Sequence, residues 1–246
     1  AVAFALESDA ELVSTFPRQI CGSLGELLQV PMMFFLLFSY LPFGRMRNTL
    51  DPAASAGCGQ FLLARRISYL RVGGHAAFRG SMHDGVRMPR AFRKLALRTD
   101  IFDGTDLVSV RMYRGFAESW RGFAKNAYEG LGSVFLLVFI TITHTIGHIG
   151  PWLLIPIGLA TGQPAVVILS FIAIFVSLSQ RALLSTRFRH PIWLGLWHPI
   201  TVLMMTLVQW HSLILHLRRG RSWRGRSLVQ IDGEQVVLVD EHDAER

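Results

Sequence analysis

Three groups of residues in this sequence have types and spacings suited to chemistry. The first is Ser81-Met82-His83-Asp84, at the entrance to a basic stretch. A carboxylate at the mouth of an α/β layer can serve as a general base, taking the proton from an acceptor hydroxyl as its oxygen attacks. Read alone, an Asp in this position is more often a helix N-cap that satisfies free backbone N–H groups. The second group is Arg111-Met112-Tyr113-Arg114, followed by Trp120 and Lys125-Asn126. Guanidinium groups beside an apolar run suit a diphosphate, which they grip bidentately. Trp120 offers a stacking face for a sugar or packing for a lipid. The alternative is an anchor of Trp, Tyr and Arg at headgroup depth. The third group is His144 and His148, at i and i+4 inside an apolar run. That spacing puts two imidazoles on one helix face, where they can ligate a metal or haem. His198, His211 and His216 are further candidate ligands, while Thr141, Thr143 and Thr145 point instead to helix-to-helix hydrogen bonding.

The elements that position these groups follow from composition. The chain has 246 residues, of which 51% are hydrophobic and only 17% charged; about a quarter is usual in a soluble domain. Residues 131–180 and 191–217 contain no Asp, Glu, Lys or Arg. A helix needs about 20 apolar residues to cross the hydrocarbon, so this is an integral membrane protein and a purely soluble enzyme is excluded. The expected spans are about 132–150, 164–180 and 192–217, with a break or hairpin over the Pro- and Gly-rich residues 151–163. Arg181, Arg187 and Arg189 then fall in a loop expected on the cytosolic side. The cluster Arg218, Arg219, Arg221, Arg224 and Arg226 is expected there too, facing anionic headgroups. One crossing cannot join two cytosolic ends, so 192–217 either re-enters or departs from the positive-inside rule. Residues 218–246 form the basic juxtamembrane segment and a polar tail.

The net charge of +8 would suit nucleic acid, but no recognition module accompanies it and no nucleic-acid partner is expected. Cys21 and Cys58 make neither a disulfide framework nor a metal-spaced pair, and are expected as reduced thiols.

Residues 1–130 read as an α/β region with too few strands for a complete sheet. Residues 59–64 predict a short buried strand, running into a helix at 65–71 that Gly73-Gly74 closes. Residues 84–98 predict a basic helix, 106–113 a strand after a turn at Asp103-Gly104, and 116–130 an amphipathic helix. Residues 22–43 are very apolar but interrupted by Glu26, Pro31 and Pro42. They predict an interfacial helix lying in the membrane plane, with a core helix under the sheet as the alternative.

At this point the residues carry a resemblance. The run from Gly57 to Lys94, GCGQFLLARRISYLRVGGHAAFRGSMHDGVRMPRAFRK, and then LVSVRMYRGFAESWRGFAKNAYEG resemble the second half of a family 2 glycosyltransferase catalytic domain. The likeness is greatest to the bacterial membrane-bound branch described as hopanoid-associated or carotenoid glycosyltransferases. It runs from about Ala10 to Arg226, including Pro17–Gln19 and Trp223–Arg226.

The resemblance implies a partial GT-A (Rossmann-like) domain followed by a C-terminal transmembrane helix bundle. It implies inverting transfer of a single sugar from a nucleotide-diphosphate sugar to a lipid of hopanoid, carotenoid or polyprenyl type. The protein would lie in the cell inner membrane with its catalytic part cytoplasmic. In that family an acidic pair opens the helix after the Gly-Gly turn, and its Asp is the base. The matching residues here are His83-Asp84, so the Asp is kept and the Glu is not. Gly57, Cys58, Gly59 and Gln60 match the segment lining the acceptor side. Arg111, Arg114, Trp120 and Lys125 fall where processive members carry Gln-x-x-Arg-Trp, which is absent, so single-sugar transfer is expected. The family holds its divalent cation, Mg2+ or Mn2+, and its nucleotide through an earlier half ending in Asp-x-Asp. No Asp-x-Asp occurs here and the chain does not begin with Met. It is therefore expected to be a C-terminal part of such an enzyme, with no metal site of its own. A non-catalytic membrane protein binding haem or metal through His144 and His148 stands as the alternative.

Overall fold

The computed structural model describes residues 1–78, 81 and 83–218, and the backbone of three strands at 222–223, 226–231 and 235–240. In chain order the elements are α1 (Val2–Glu7), β1 (Leu12–Gln19), α2 (Leu24–Gln29), α3 (Met32–Tyr40), α4 (Phe43–Asn48), β2 (Leu62–Ala64), α5 (Arg66–Arg71), α6 (Asp84–Lys94), β3 (Thr99–Val110), α7 (Phe116–Leu131), α8 (Val134–Thr143), α9 (Gly150–Ala160), α10 (Pro164–Arg187), α11 (His198–Leu217), β4 (Ser222–Trp223), β5 (Arg226–Ile231) and β6 (Gln235–Asp240). They form two compact units. One comprises Ala1–Arg18, Tyr40–Val110 and Leu215–Arg246; the other comprises Gln19–Ser39 and Arg111–Ile214.

The first unit is mixed α/β. Its three-stranded mixed sheet has the order β2-β1-β3, with β1 and β2 antiparallel. The central strand β1 is buried along almost its whole length, as a strand covered on both faces must be. β2 pairs with Leu12, Val13 and Ser14 of β1, and Pro17 lies beyond that ladder. Helix α6 covers the sheet through Met88 and Phe92, which pack with Leu12. It ends at Lys94, earlier than expected, where the chain turns through Ala96 at φ +57°.

The expected turn at Asp103-Gly104 is absent, because β3 runs straight through it from Thr99 to Val110. Gly104 is there for close approach. A Cβ on it would meet the Thr15 side chain on the neighbouring strand, and a glycine inside a strand commonly marks such a crossing.

Arg93 is a buried hub that spacing does not announce. Its Nε donates to Thr99 Oγ1 at 2.7 Å, Nη1 to the Thr49 carbonyl at 2.9 Å, and Nη2 to the Thr99 carbonyl at 2.8 Å and to the Met46 carbonyl. Burial pulls its pKa down, partly countered by Asp100. Backbone carbonyls rather than a carboxylate solvate the charge, tying the turn after α4 to the start of β3.

The second unit is helical. Three helices are long and apolar enough to cross a membrane: Val134–Ala160, Pro164–Arg187 and Ile192–Leu217. The first exceeds its expected length because the break foreseen over 151–163 shrinks to a turn at Thr161–Gln163. A π-helical segment, His144–Ile149, joins α8 to α9 immediately before Pro151. Proline has no N–H and its ring crowds the carbonyl four residues back; the wider π turn relieves that crowding, so the helix continues. The second span also runs past its expected end, to Arg187. Arg181 is therefore inside a helix and buried, not in a loop, while Arg187 and Arg189 are exposed.

Residues 22–43 form two helices in place of the expected single one. Met32, Phe34 and Phe35 on α3 are fully buried, and Phe34 stacks on Phe188 at 3.8 Å. One face of α3 is thus committed to packing within its own helical unit. The tail forms an antiparallel β4-β5-β6 sheet, with Arg226 opposite Asp240. Of the five-Arg cluster, Arg219, Arg221 and Arg224 lie outside the described residues, as does the end of the polar tail at 241–246.

Candidate functional site

In the first unit the segment 57–60 lies alongside the start of α6. A Cβ on Gly59 would run into the Asp84 carboxylate, and one on Gly85 would press on the Gly57 carbonyl. Gly57, Gly59, Gln60, His83 and Asp84 are thereby brought together. The central strand sets this loop: Ser14 Oγ accepts from the Cys58 N–H at 2.7 Å and donates to the Phe61 carbonyl at 2.8 Å. Asp84 is the first residue of α6, with His83 at the N-cap position but making no side-chain cap bond. Asp84 Oδ1 accepts the Gly85 N–H at 2.7 Å. His83 takes a 3.0 Å bond from its own N–H to Ser81 Oγ, and Met82 lies outside the described residues. Burial, with Asp84 adding to it, pushes the Cys58 thiol up, so it stays protonated. The result is a half-buried carboxylate standing at a glycine floor, with Gly59 and Gln60 exposed in front of it. Such a group can accept a proton from a small hydroxyl that reaches the floor.

The arginine group falls in the other unit, and the structure gives Arg111 a different occupation. Its Nε donates to Glu26 Oε2 at 3.1 Å and its Nη2 to Glu26 Oε1 at 3.0 Å. Glu26 is 1% exposed and also accepts from Gly22 N, Ser23 Oγ and Gly115 N at 2.7–2.8 Å. Arg111 holds that carboxyl down at about 2, and Glu26 in turn raises the Arg111 pKa. The fork proposed for a diphosphate is closed on an internal carboxylate. Arg114 remains exposed, its N–H donating to Glu118 Oε2 at 2.8 Å. Trp120 is stacked on Phe116 and donates from Nε1 to His211 Nδ1 at 2.9 Å, so its ring edge is engaged within the helices. Lys125 is half-buried on α7. Gly22 is needed beneath Arg111, since a Cβ there would meet the guanidinium.

Three of the histidines meet. His144 and His198 are fully buried. His144 Nδ1 pairs with Thr206 Oγ1 at 2.8 Å, and His148 Nδ1 with Ser177 Oγ at 3.0 Å and His198 Nε2 at 3.2 Å. Phe35 sits among the three rings, edge-on to His148 and His198. Among the described residues no group of three His, Cys, Asp or Glu side chains is arranged to hold a metal ion. His211 is taken by Trp120.

Two residues that chemistry-by-spacing passed over prove central to this unit: Glu26, and Arg181, whose buried guanidinium has, among the described residues, only the Met32 sulfur as a hydrogen-bond partner. A lone acidic residue in the apolar run 22–43 was the available signal for the first.

No protein-family model, curated protein or solved structure matches this chain.

Proposed function

We propose that the chain is the acceptor-side part of a membrane-bound inverting glycosyltransferase that moves a single sugar from a nucleotide-diphosphate sugar to a lipid hydroxyl. The observation that carries this is the Asp84 carboxylate at the start of α6, set against Gly57–Gln60. These are the residues that the family resemblance assigns to the base and the acceptor floor. The small side chains of the floor let an acceptor hydroxyl approach the carboxylate. Asp84 accepts its proton as the oxygen bonds to the anomeric carbon and the bond from that carbon to the nucleoside diphosphate breaks, so inversion follows from a single displacement. His83 stands where the family has a second carboxylate and would help set the polarity around Asp84.

Three helices able to cross a membrane fit a lipid acceptor, and in this reading the enzyme sits in the inner membrane with Asp84 on the cytoplasmic side. Arg114, Trp120 and Lys125 are the remaining candidates for donor contact; Arg111 is committed to Glu26. The divalent cation of such enzymes is assigned to Asp-x-Asp, a motif this sequence does not contain. The described residues offer no alternative metal site, so no step is routed through the cation here.

The test is Asp84→Asn in the full-length enzyme, assayed with labelled nucleotide sugars and extracted lipid acceptors. Loss of about 10²-fold or more is expected for a general base; transfer near the wild-type rate removes Asp84 from the mechanism. The haem or metal alternative rests on His144 and His148, whose Nδ1 atoms pair with Thr206 Oγ1 and with Ser177 Oγ and His198 Nε2. An absorption spectrum of the purified protein decides it: a Soret band lost in His148→Ala would favour that alternative.

A further inference from the structure

Arg181 lies on α10, 1% exposed. Its Nη1 contacts the Met32 sulfur at 3.3 Å, while Nε and Nη2 are buried with no hydrogen-bond partner among the described residues. Nε and Nη2 together form the side-on edge of the guanidinium, the edge that grips two oxygens of one oxyanion. His198 reaches the same buried face of α10 through His148, whose Nδ1 pairs with His198 Nε2 at 3.2 Å and with Ser177 Oγ at 3.0 Å, one turn before Arg181; among the described residues His198 Nδ1 is also buried without a partner. The chain cannot supply the missing counter-charge from the spans, since no Asp or Glu occurs between Glu129 and Asp232. Glu26, on α2, is consumed by Arg111 and backbone donors. An uncompensated guanidinium costs several kcal/mol in such surroundings. A water would satisfy one donor and leave the charge; an anion satisfies both.

We infer that Arg181 and His198 form an anion-binding site in the helical unit, which takes the phosphate of a lipid headgroup. The phosphate would accept from Arg181 Nε–H and Nη2–H and from a proton on His198 Nδ1. The source follows from the surroundings. Arg181 lies six residues from the end of α10 at Arg187, about 9 Å along the helix axis at 1.5 Å per residue, which is within reach of headgroup depth. The outer residues of α10, such as Phe171, Phe175 and Leu183, are exposed and apolar, as suits contact with acyl chains. This inference does not depend on sugar transfer.

The test uses the full chain, delipidated in neutral detergent, with phosphatidylglycerol, diacylglycerol and inorganic phosphate as separate probes and native mass spectrometry as the readout. One tightly held phosphatidylglycerol is expected, with no comparable diacylglycerol adduct. Arg181→Gln should weaken it by about tenfold or more, because the bidentate edge is lost. Arg187→Gln, at an exposed arginine on the same helix, should leave it unchanged. If Arg181→Gln does not fold, Arg181→Lys and His198→Gln take its place, and both should bind more weakly than wild type. Binding that is equal in all variants, or no phosphatidylglycerol adduct on the wild type, overturns the inference. Displacement of the lipid by micromolar inorganic phosphate would assign the site to the free ion and overturn the headgroup as its source.

Discussion

The Glu26 carboxylate holds the Arg111 guanidinium through two hydrogen bonds, at 3.1 and 3.0 Å, between residues 85 apart in the chain. The same carboxylate takes the Gly22 and Gly115 N–H groups. It thereby fastens the segment entering α2 to the one entering α7.

That contact predicts an acid-sensitive fold. The Glu26 carboxyl is lowered from an ordinary value of 4.5 to about 2. A group depressed in the folded state gives its full stabilisation above the ordinary value and loses it as pH falls through the folded one. Thermal unfolding in detergent should therefore show a Tm for wild type that drops between about pH 4.5 and 2, in a window set by that shift. Glu26→Gln should be less stable than wild type at pH 7, where it leaves Arg111 and the Gly22 and Gly115 N–H groups without their carboxylate, and should approach wild type at the acid end. Parallel curves across this range would show that Glu26 is not the responsible group.

Gly25 lets α2 approach the start of α7. A Cβ at this position would stand 2.6–2.8 Å from the Phe116 Cβ, N and Cα. Backbone atoms do not yield as a side-chain tip would, so Gly25→Ala should destabilise by about 1–3 kcal/mol, as overpacking does. A Tm unchanged from wild type would mean that the two helices separate without cost.

In the first unit, Arg93→Met keeps the length of the side chain but strips donors from the carbonyls of Met46, Thr49 and Thr99. Buried acceptors left unmade cost about 1–3 kcal/mol each, so a loss of several kcal/mol is expected in urea unfolding followed by circular dichroism. A variant as stable as wild type would show that the carbonyls find water instead.

Gly59→Ala separates the site from the fold. Gly59 is exposed, and the three atoms nearest an added methyl all belong to the Asp84 carboxyl group. If Asp84 is the base, transfer by the full-length enzyme should fall about tenfold or more, as misplacement of a catalytic group does, while the free energy of unfolding stays within about 0.5 kcal/mol of wild type. Activity and stability falling together would make the contact structural.

Part of this architecture is legible residue by residue. The charge-free stretches 131–180 and 191–217 announce three apolar helices, and all three are present. The strand and helix around Leu62–Arg71 and the amphipathic α7 stand where the periodicity puts them. The grouping of Asp84 with Gly57–Gln60 is implied by the resemblance alone, and the packing sets Gly59 against the Asp84 carboxylate. The strand β1 was missed because a strand buried on both faces shows no alternation, and Pro17 argues against it. The turn at Gly104 was misplaced because glycine for close approach and glycine for a turn are the same letter.

What spacing determined was local: how apolar each stretch is, and which face of α7 is apolar, since both depend on residues within a turn or two. Which groups meet was decided by packing. Arg111 is paired with Glu26, His148 meets His198 across 50 residues, and Arg181 meets Met32 across 149. Each pairing depends on how helices far apart in sequence pack side by side. A buried guanidinium and an exposed one are identical in the sequence, and only their neighbours differ.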